Sequence, residues 1–144
     1  MGMKSPAVGI KDLLEAAFVG TFAAGAGWAL AVGAPMTSPD TCITCVDGPG
    51  QSPYANLALN FPSVQVLVRG NPGDYVGAHD KGRDAIDAVL GAGYQSVNGD
   101  LWGGITQMGD LAFLGYDEKN RPIFSANFSI NVEPATTGHR QAIT

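Results

Sequence analysis

From Pro62 to Gly93 the chain spells one extended run, one sharp turn and one amphipathic stretch, an order that few folds accept. Val64, Val66 and Val68 alternate with Ser63, Gln65, Leu67 and Arg69, the period-two pattern of a half-buried strand rich in β-branched residues. Asn71-Pro72-Gly73-Asp74 reads as a helix start. Asn71 caps, Pro72 takes the first helical position where its missing N–H costs nothing, and Asp74 lies near the positive helix end. Tyr75, His79, Gly82, Ile86, Val89 and Leu90 then form one inward stripe, with Asp80, Lys81, Arg83, Asp84 and Asp87 on the other faces. Gly91 and Gly93 close the helix. A strand feeding one amphipathic helix predicts an α/β sandwich.

The flanking sequence supplies the rest of that sandwich. Ser5-Pro6 opens a short helix carrying Ile10, Leu13, Leu14, Ala17 and Phe18 inward, with Gly20 as its stop. Trp28, Leu30 and Val32 alternate as a buried strand, Pro35–Pro39 is a loop, and Thr41–Asp47 is a second strand. Gly48-Pro49-Gly50 to Pro53-Tyr54 reads as a long polar loop, and Leu57, Leu59 and Phe61 lead into the central strand, where Pro62 marks a bulge or an edge. Asn98-Gly99-Asp100 turns into a strand from Trp102 to Met108, and Gly109-Asp110 turns again into Leu111–Tyr116. After the charged loop Asp117–Pro122 comes the clearest strand. Phe124, Ala126, Phe128, Ile130 and Val132 face one side; Ser125, Asn127, Ser129 and Asn131 face the other. The expected organisation is a single domain over 1–134 followed by a flexible tail, 135–144.

Catalysis finds no foothold here. Cys42-Ile-Thr-Cys45 has redox or metal-clip spacing, but in a strand residues three apart point to opposite faces, so the expectation is two half-buried structural thiols and no metal. Asp84 with Asp87 and Asp117 with Glu118 are surface carboxylates, and the two histidines, His79 and His139, complete no nucleophilic set. Gly25-Ala-Gly27 and Gly103-Gly104 lack the partners of a phosphate loop, so neither enzyme activity nor a cofactor is expected. Net charge is −5 with eight scattered basic residues, which gives no phosphate-tracking groove. No charge occurs from Ala16 to Pro39, long enough to cross a bilayer, so a small membrane-anchored protein using residues 16–36 is an alternative. Glycines break the run and no basic cluster flanks it, which favours a loop and a strand instead.

Arg69 at the end of the central strand and the 117–122 loop read either as solvated surface or as ion-pair partners across a subunit boundary. The small polar face of the last strand suits a neighbouring subunit or an aqueous channel. In order along the chain stand the N-terminal helix, Pro39-Asp40 leading into Cys42–Asp47 and Gly48-Pro49-Gly50, Pro62–Gly70, the helix from Asp74, Met108–Asp117 with Arg121-Pro122, and Phe128–Pro134. Together they resemble the tail terminator (tail completion, or minor capsid) proteins of long-tailed bacteriophages. The departure is Gly48-Pro49-Gly50, where a threonine is expected after the aspartate.

The resemblance implies an α/β (α+β) subunit with a mixed, mostly antiparallel sheet packed with two main helices. It implies a homohexameric ring in the virion, at the tail–neck junction, assembled in the host cytoplasm. Such a ring would cap the tail tube protein, stop its polymerisation and meet a head-completion or connector protein, with genomic DNA passing through the lumen unbound and no membrane involved. A head-completion or connector role of the phage neck is the alternative within the virion. Asp47, Arg69, Asp117, Glu118, Lys119 and Arg121 are the expected interface residues, and charge reversal at Arg69 or Arg121 is expected to weaken assembly while leaving the subunit folded.

Overall fold

The computed structural model describes residues 4–51, 59–92 and 95–133. Helix α1 spans Pro6–Ala16; the Ser5 hydroxyl accepts from the Val8 N–H at 3.4 Å, and proline occupies the first turn, as the sequence predicts. Its end differs from expectation. The Phe18 N–H donates to Glu15 O and the Val19 N–H to Leu14 O, the paired closure that usually places glycine in the left-handed position. Here Phe18 takes that position, with φ 61°, and its ring is thrown outward at 93% exposure. Phe18 is therefore no part of the inward stripe, and Gly20 is not the stop.

Strands β1 (Thr21–Phe22), β2 (Ala29–Val32), β3 (Cys42–Gln51) and β4 (Phe61–Arg69) precede helix α2 (Tyr75–Leu90). Strands β5 (Gln95–Val97), β6 (Asp100–Tyr116) and β7 (Pro122–Glu133) follow it. They form one curled sheet in the order β1-β2-β3-β4-β7-β6-β5, parallel from β1 to β3 and antiparallel onward, so the fold is α+β and mostly sheet. Residues 16–36 hold the end of α1 and two short strands. That overturns the membrane span: among the described residues no helix is long and apolar enough to cross a bilayer.

The central pattern is realised as read. Val64, Val66 and Val68 of β4 and Phe124, Ala126, Phe128, Ile130 and Val132 of β7 are buried in one core with Ile10 and Leu14 of α1 and Ala78, Ala85, Ile86 and Val89 of α2. Pro62 sits at a bulge, because β3 advances from Gly48 to Gln51 while β4 moves only from Ser63 to Phe61. Strand β3 thus runs through Gly48-Pro49-Gly50, where a loop was expected. The cap of α2 is Asp74, which accepts from the Gly77 N–H at 3.0 Å, and not Asn71. Tyr75 and Leu90 at its two ends are exposed. The calls on Pro53-Tyr54, Leu57, Gly93 and the 135–144 tail lie outside the described residues.

The largest departure is β6, one strand of 17 residues where two strands joined at Gly109-Asp110 were expected. Opposite it β7 is continuous, so the extra residues between Met108 and Ala112 bulge out instead of reversing the chain. Asp110 in that bulge takes two hydrogen bonds from the Arg83 guanidinium of α2, at 2.6 and 3.2 Å. Leu111 then lies so close to Gly82 that a Cβ there would stand 2.9 Å from its methyls. A turn signal was spent on bending the sheet over a helix.

At the other end α1 meets β5 and β6. A Cβ on Gly9 would lie 2.6 Å from the Trp102 ring and 2.9 Å from Val97. Gly9→Ala should therefore destabilise the subunit by about 1–3 kcal/mol in urea unfolding, through overpacking against a rigid ring. Alanine's helix propensity offsets that by about 1 kcal/mol at most; a net stabilisation would show that α1 does not seat as described.

Candidate assembly surfaces

The β6–β7 hairpin turns through Asp117-Glu118-Lys119-Asn120, with Asn120 left-handed (φ 61°) and the Asn120 N–H donating to Asp117 O at 2.9 Å. The Asp117 carboxylate accepts from the Lys119 and Arg121 N–H groups, both at 3.0 Å, and from Arg121 Nε at 2.8 Å. Arg121 continues to Asp40 Oδ1 at 3.1 Å and to Thr37 O at 3.3 Å. Beside it Arg69 donates through Nε to Asp40 O and through Nη2 to Pro39 O, each at 2.9 Å, and to Met36 O. The two guanidiniums thus hold the 36–40 loop down over the end of the sheet, and each arginine is only 7% exposed.

Burial, and then repulsion from Arg121, lower the pKa of Arg69 from its ordinary value. Burial also pushes the Asp117 carboxyl up, but hydrogen bonds from the Arg121 N–H and guanidinium and from the Lys119 N–H outweigh it, and its pKa lies below the ordinary value. Under the loop, Pro35, Thr44, Leu67 and Ile123 with the two arginines and Asp117 line a cleft of about 260 Å³.

Of the six residues expected at an interface, the structure brings Arg69, Asp117 and Arg121 together, with their polar groups engaged inside the subunit. Asp47 stands elsewhere and accepts from Ser5 Oγ at 2.6 Å and the Ala7 N–H at 2.9 Å, fastening α1 to β3. Glu118 and Lys119 are exposed at the hairpin tip. Asp40, which ties both arginines to the loop, escaped sequence reasoning, since nothing local marks it beyond its place beside Pro39. Cys42 and Cys45 are both fully buried, not half-buried. Cys42 meets Thr44 Oγ1 at 3.7 Å, while Cys45 belongs to the helix-side core, where burial pushes its thiol up to about 12.

The face of the sheet away from the helices is built in cross-strand rows. Gly48, Ser63, Ser129 and Thr106 form one row, and Val46, Gln65, Asn127 and Met108 the next, with no charged side chain in either. Together with Pro49 and Gly50 this region forms a trough of about 470 Å³. Both flanks of the sheet are incompletely paired. Among the described residues β5 covers only Asp100–Trp102 of β6, leaving its edge unpaired from Gly103 to Tyr116, and β2 covers β3 only as far as Cys45.

The chain matches the family model described as bacteriophage tail terminator protein over residues 30–134, which takes in β3, β4, α2, β6 and β7. No curated protein matches it.

The arginine pair sets two expectations. Arg69→Ala leaves the carbonyls of Met36, Pro39 and Asp40 without their donor and should cost about 2–4 kcal/mol in urea unfolding. Arg69→Glu should cost more, because it buries a carboxylate among carbonyls. Charge reversal at Arg69 is therefore expected to lower the stability of the isolated subunit as well as to weaken assembly. Asp117, with its folded pKa depressed, contributes stability above its unfolded pKa of about 3.9, and that contribution fades as pH falls through the folded value. Unfolding midpoints measured from about pH 6 to 3 should fall on the acid side in the wild type and fall less in Asp117→Asn; parallel curves would remove Asp117 from this role.

Proposed function

The chain belongs to the bacteriophage tail terminator family, and from that premise we propose that it forms a hexameric ring on the head-proximal end of the tail tube. One ring face repeats the contacts by which tube subunits stack; the other lacks them, so polymerisation stops, and it meets the head-completion proteins instead. The family match across most of the sheet carries this reading. The uncharged trough of Ser63, Gln65, Asn127 and Ser129 supports the passage of DNA, because a surface without cations forms no phosphate contacts that must break as the polyanion moves. Sheet edges on β3 and β6 that carry no strand partner among the described residues supply surfaces for neighbouring subunits, and their bulges restrict which partner can pair there. Glu118 and Lys119 at the hairpin tip remain as interface charges, since Asp47, Arg69, Asp117 and Arg121 act within the subunit.

Electron microscopy of particles made without this gene tests the proposal. Filled heads separate from abnormally long tails are the expected outcome. Tails of normal length beside leaking heads would move the protein to the head-completion side, and intact infectious particles would reject both roles.

A further inference from the structure

Arg69 and Arg121 are each only 7% exposed, yet neither spends all its donors inside the subunit. Arg69 donates through Nε and Nη2 to the loop carbonyls, and Arg121 through Nε and Nη1 to Asp117, Thr37 and Asp40. Among the described residues no acceptor meets Arg69 Nη1 or Arg121 Nη2. Cationic N–H groups make the stronger hydrogen bonds, and leaving them without acceptors in a buried place is costly. Neither nitrogen is sealed inside protein, and both residues line the cleft of about 260 Å³ under the 36–40 loop. Two unpartnered guanidinium ends thus share one small space.

The surroundings say which acceptor fits. Every acceptor of Arg69 is a neutral carbonyl. Burial lowers its pKa first, and the repulsion from Arg121 exceeds the attraction of Asp117 or of Asp40. Those two carboxylates still bring the cluster near neutrality, so the draw is the open N–H groups and it admits one singly charged group. Asp117 also stands on the cleft wall with both oxygens engaged, which disfavours a dianion such as phosphate. Pro35, Leu67 and Ile123 form the apolar walls, where a strongly hydrated ion would lose its water but a short aliphatic stem packs. A planar carboxylate can accept one N–H from each guanidinium. We propose that this cleft binds a single carboxylate on a short aliphatic stem, held by Arg69 Nη1 and Arg121 Nη2 with its methylenes against Leu67 and Ile123. A small free acid and an acidic side chain of a partner protein both carry that chemistry.

Propionate is the probe, titrated into the full-length protein at constant ionic strength against chloride and phosphate. It should saturate at about 1–10 mM, the weak affinity of so small a ligand. It should shift the side-chain nitrogen signals of Arg69 and Arg121 in the wild type. At tenfold over its Kd it should raise Tm by about 3–6 °C. Arg69→Lys keeps a cation for the loop carbonyls but lacks the second terminal nitrogen, so binding should weaken at least tenfold. The wild-type nitrogen signals decide the matter if that variant fails to fold. Chloride or phosphate matching propionate, nitrogen signals that do not move, or undiminished binding in a folded Arg69→Lys would each overturn the site. A blocked Gly-Glu-Gly tripeptide then separates the two sources. Binding at least as tight as propionate assigns the carboxylate to a protein partner, and exclusion of the peptide assigns it to a free acid.

Discussion

Val64, Val66 and Val68 lie opposite Phe128, Ala126 and Phe124 in an antiparallel pairing that runs without a break from Ser63↔Ser129 to Arg69↔Ile123. The register of this pair governs both faces of the molecule. A slip of one residue would turn Ser125, Asn127 and Ser129 toward the helices and the phenylalanines outward, so the core fixes the register strongly. That register in turn assembles Ser63 with Ser129 and Gln65 with Asn127 into the uncharged trough. It also brings the C-terminal end of β4 beside the start of β7, where Arg69 and Arg121 meet. The pair of strands that makes the core therefore also makes both candidate surfaces.

Two guanidiniums side by side are an unfavourable pairing, and their placement follows from what they replace. The 36–40 loop crosses the sheet end with carbonyls facing protein, and each buried carbonyl without a donor costs about 1–3 kcal/mol. Arg69 and Arg121 satisfy the carbonyls of Met36, Thr37, Pro39 and Asp40, while the Asp40 and Asp117 carboxylates balance their charge. The arrangement ties the loop to the end of the sheet through its backbone carbonyls.

Periodicity made the elements that bury one face legible. The β7 alternation, the β4 valines and the Ser5-Pro6 start all appear as the sequence predicts, because each records a local choice that the core enforces. Signals whose meaning depends on a distant partner misled. Gly109-Asp110 reads as a turn until continuous β7 and Arg83 hold the chain extended, and Asn71 reads as a cap until Asp74 accepts the bond. Arg69 and Arg121 read as solvated charge or as partners across a subunit boundary, because burial among carbonyls of the same chain leaves no periodic trace. Phe18 fits a helical stripe by spacing, and only the backbone shows that the helix has ended before it.

The family match begins inside a continuous core, not at its border. Ala7, Ile10 and Leu14 of α1 precede residue 30, yet they are fully buried in the same cluster as Leu30, Ile43 and Val64. The Asp47 carboxylate of β3 holds Ser5 and Ala7, and Trp102 of β6 closes against Gly9, so α1 is fastened to both flanks of the sheet. A chain cut at residue 29 would expose the apolar face of β2 and β3 and lose the bridge between the flanks. Whatever the first 29 residues add to assembly, they are first part of the fold.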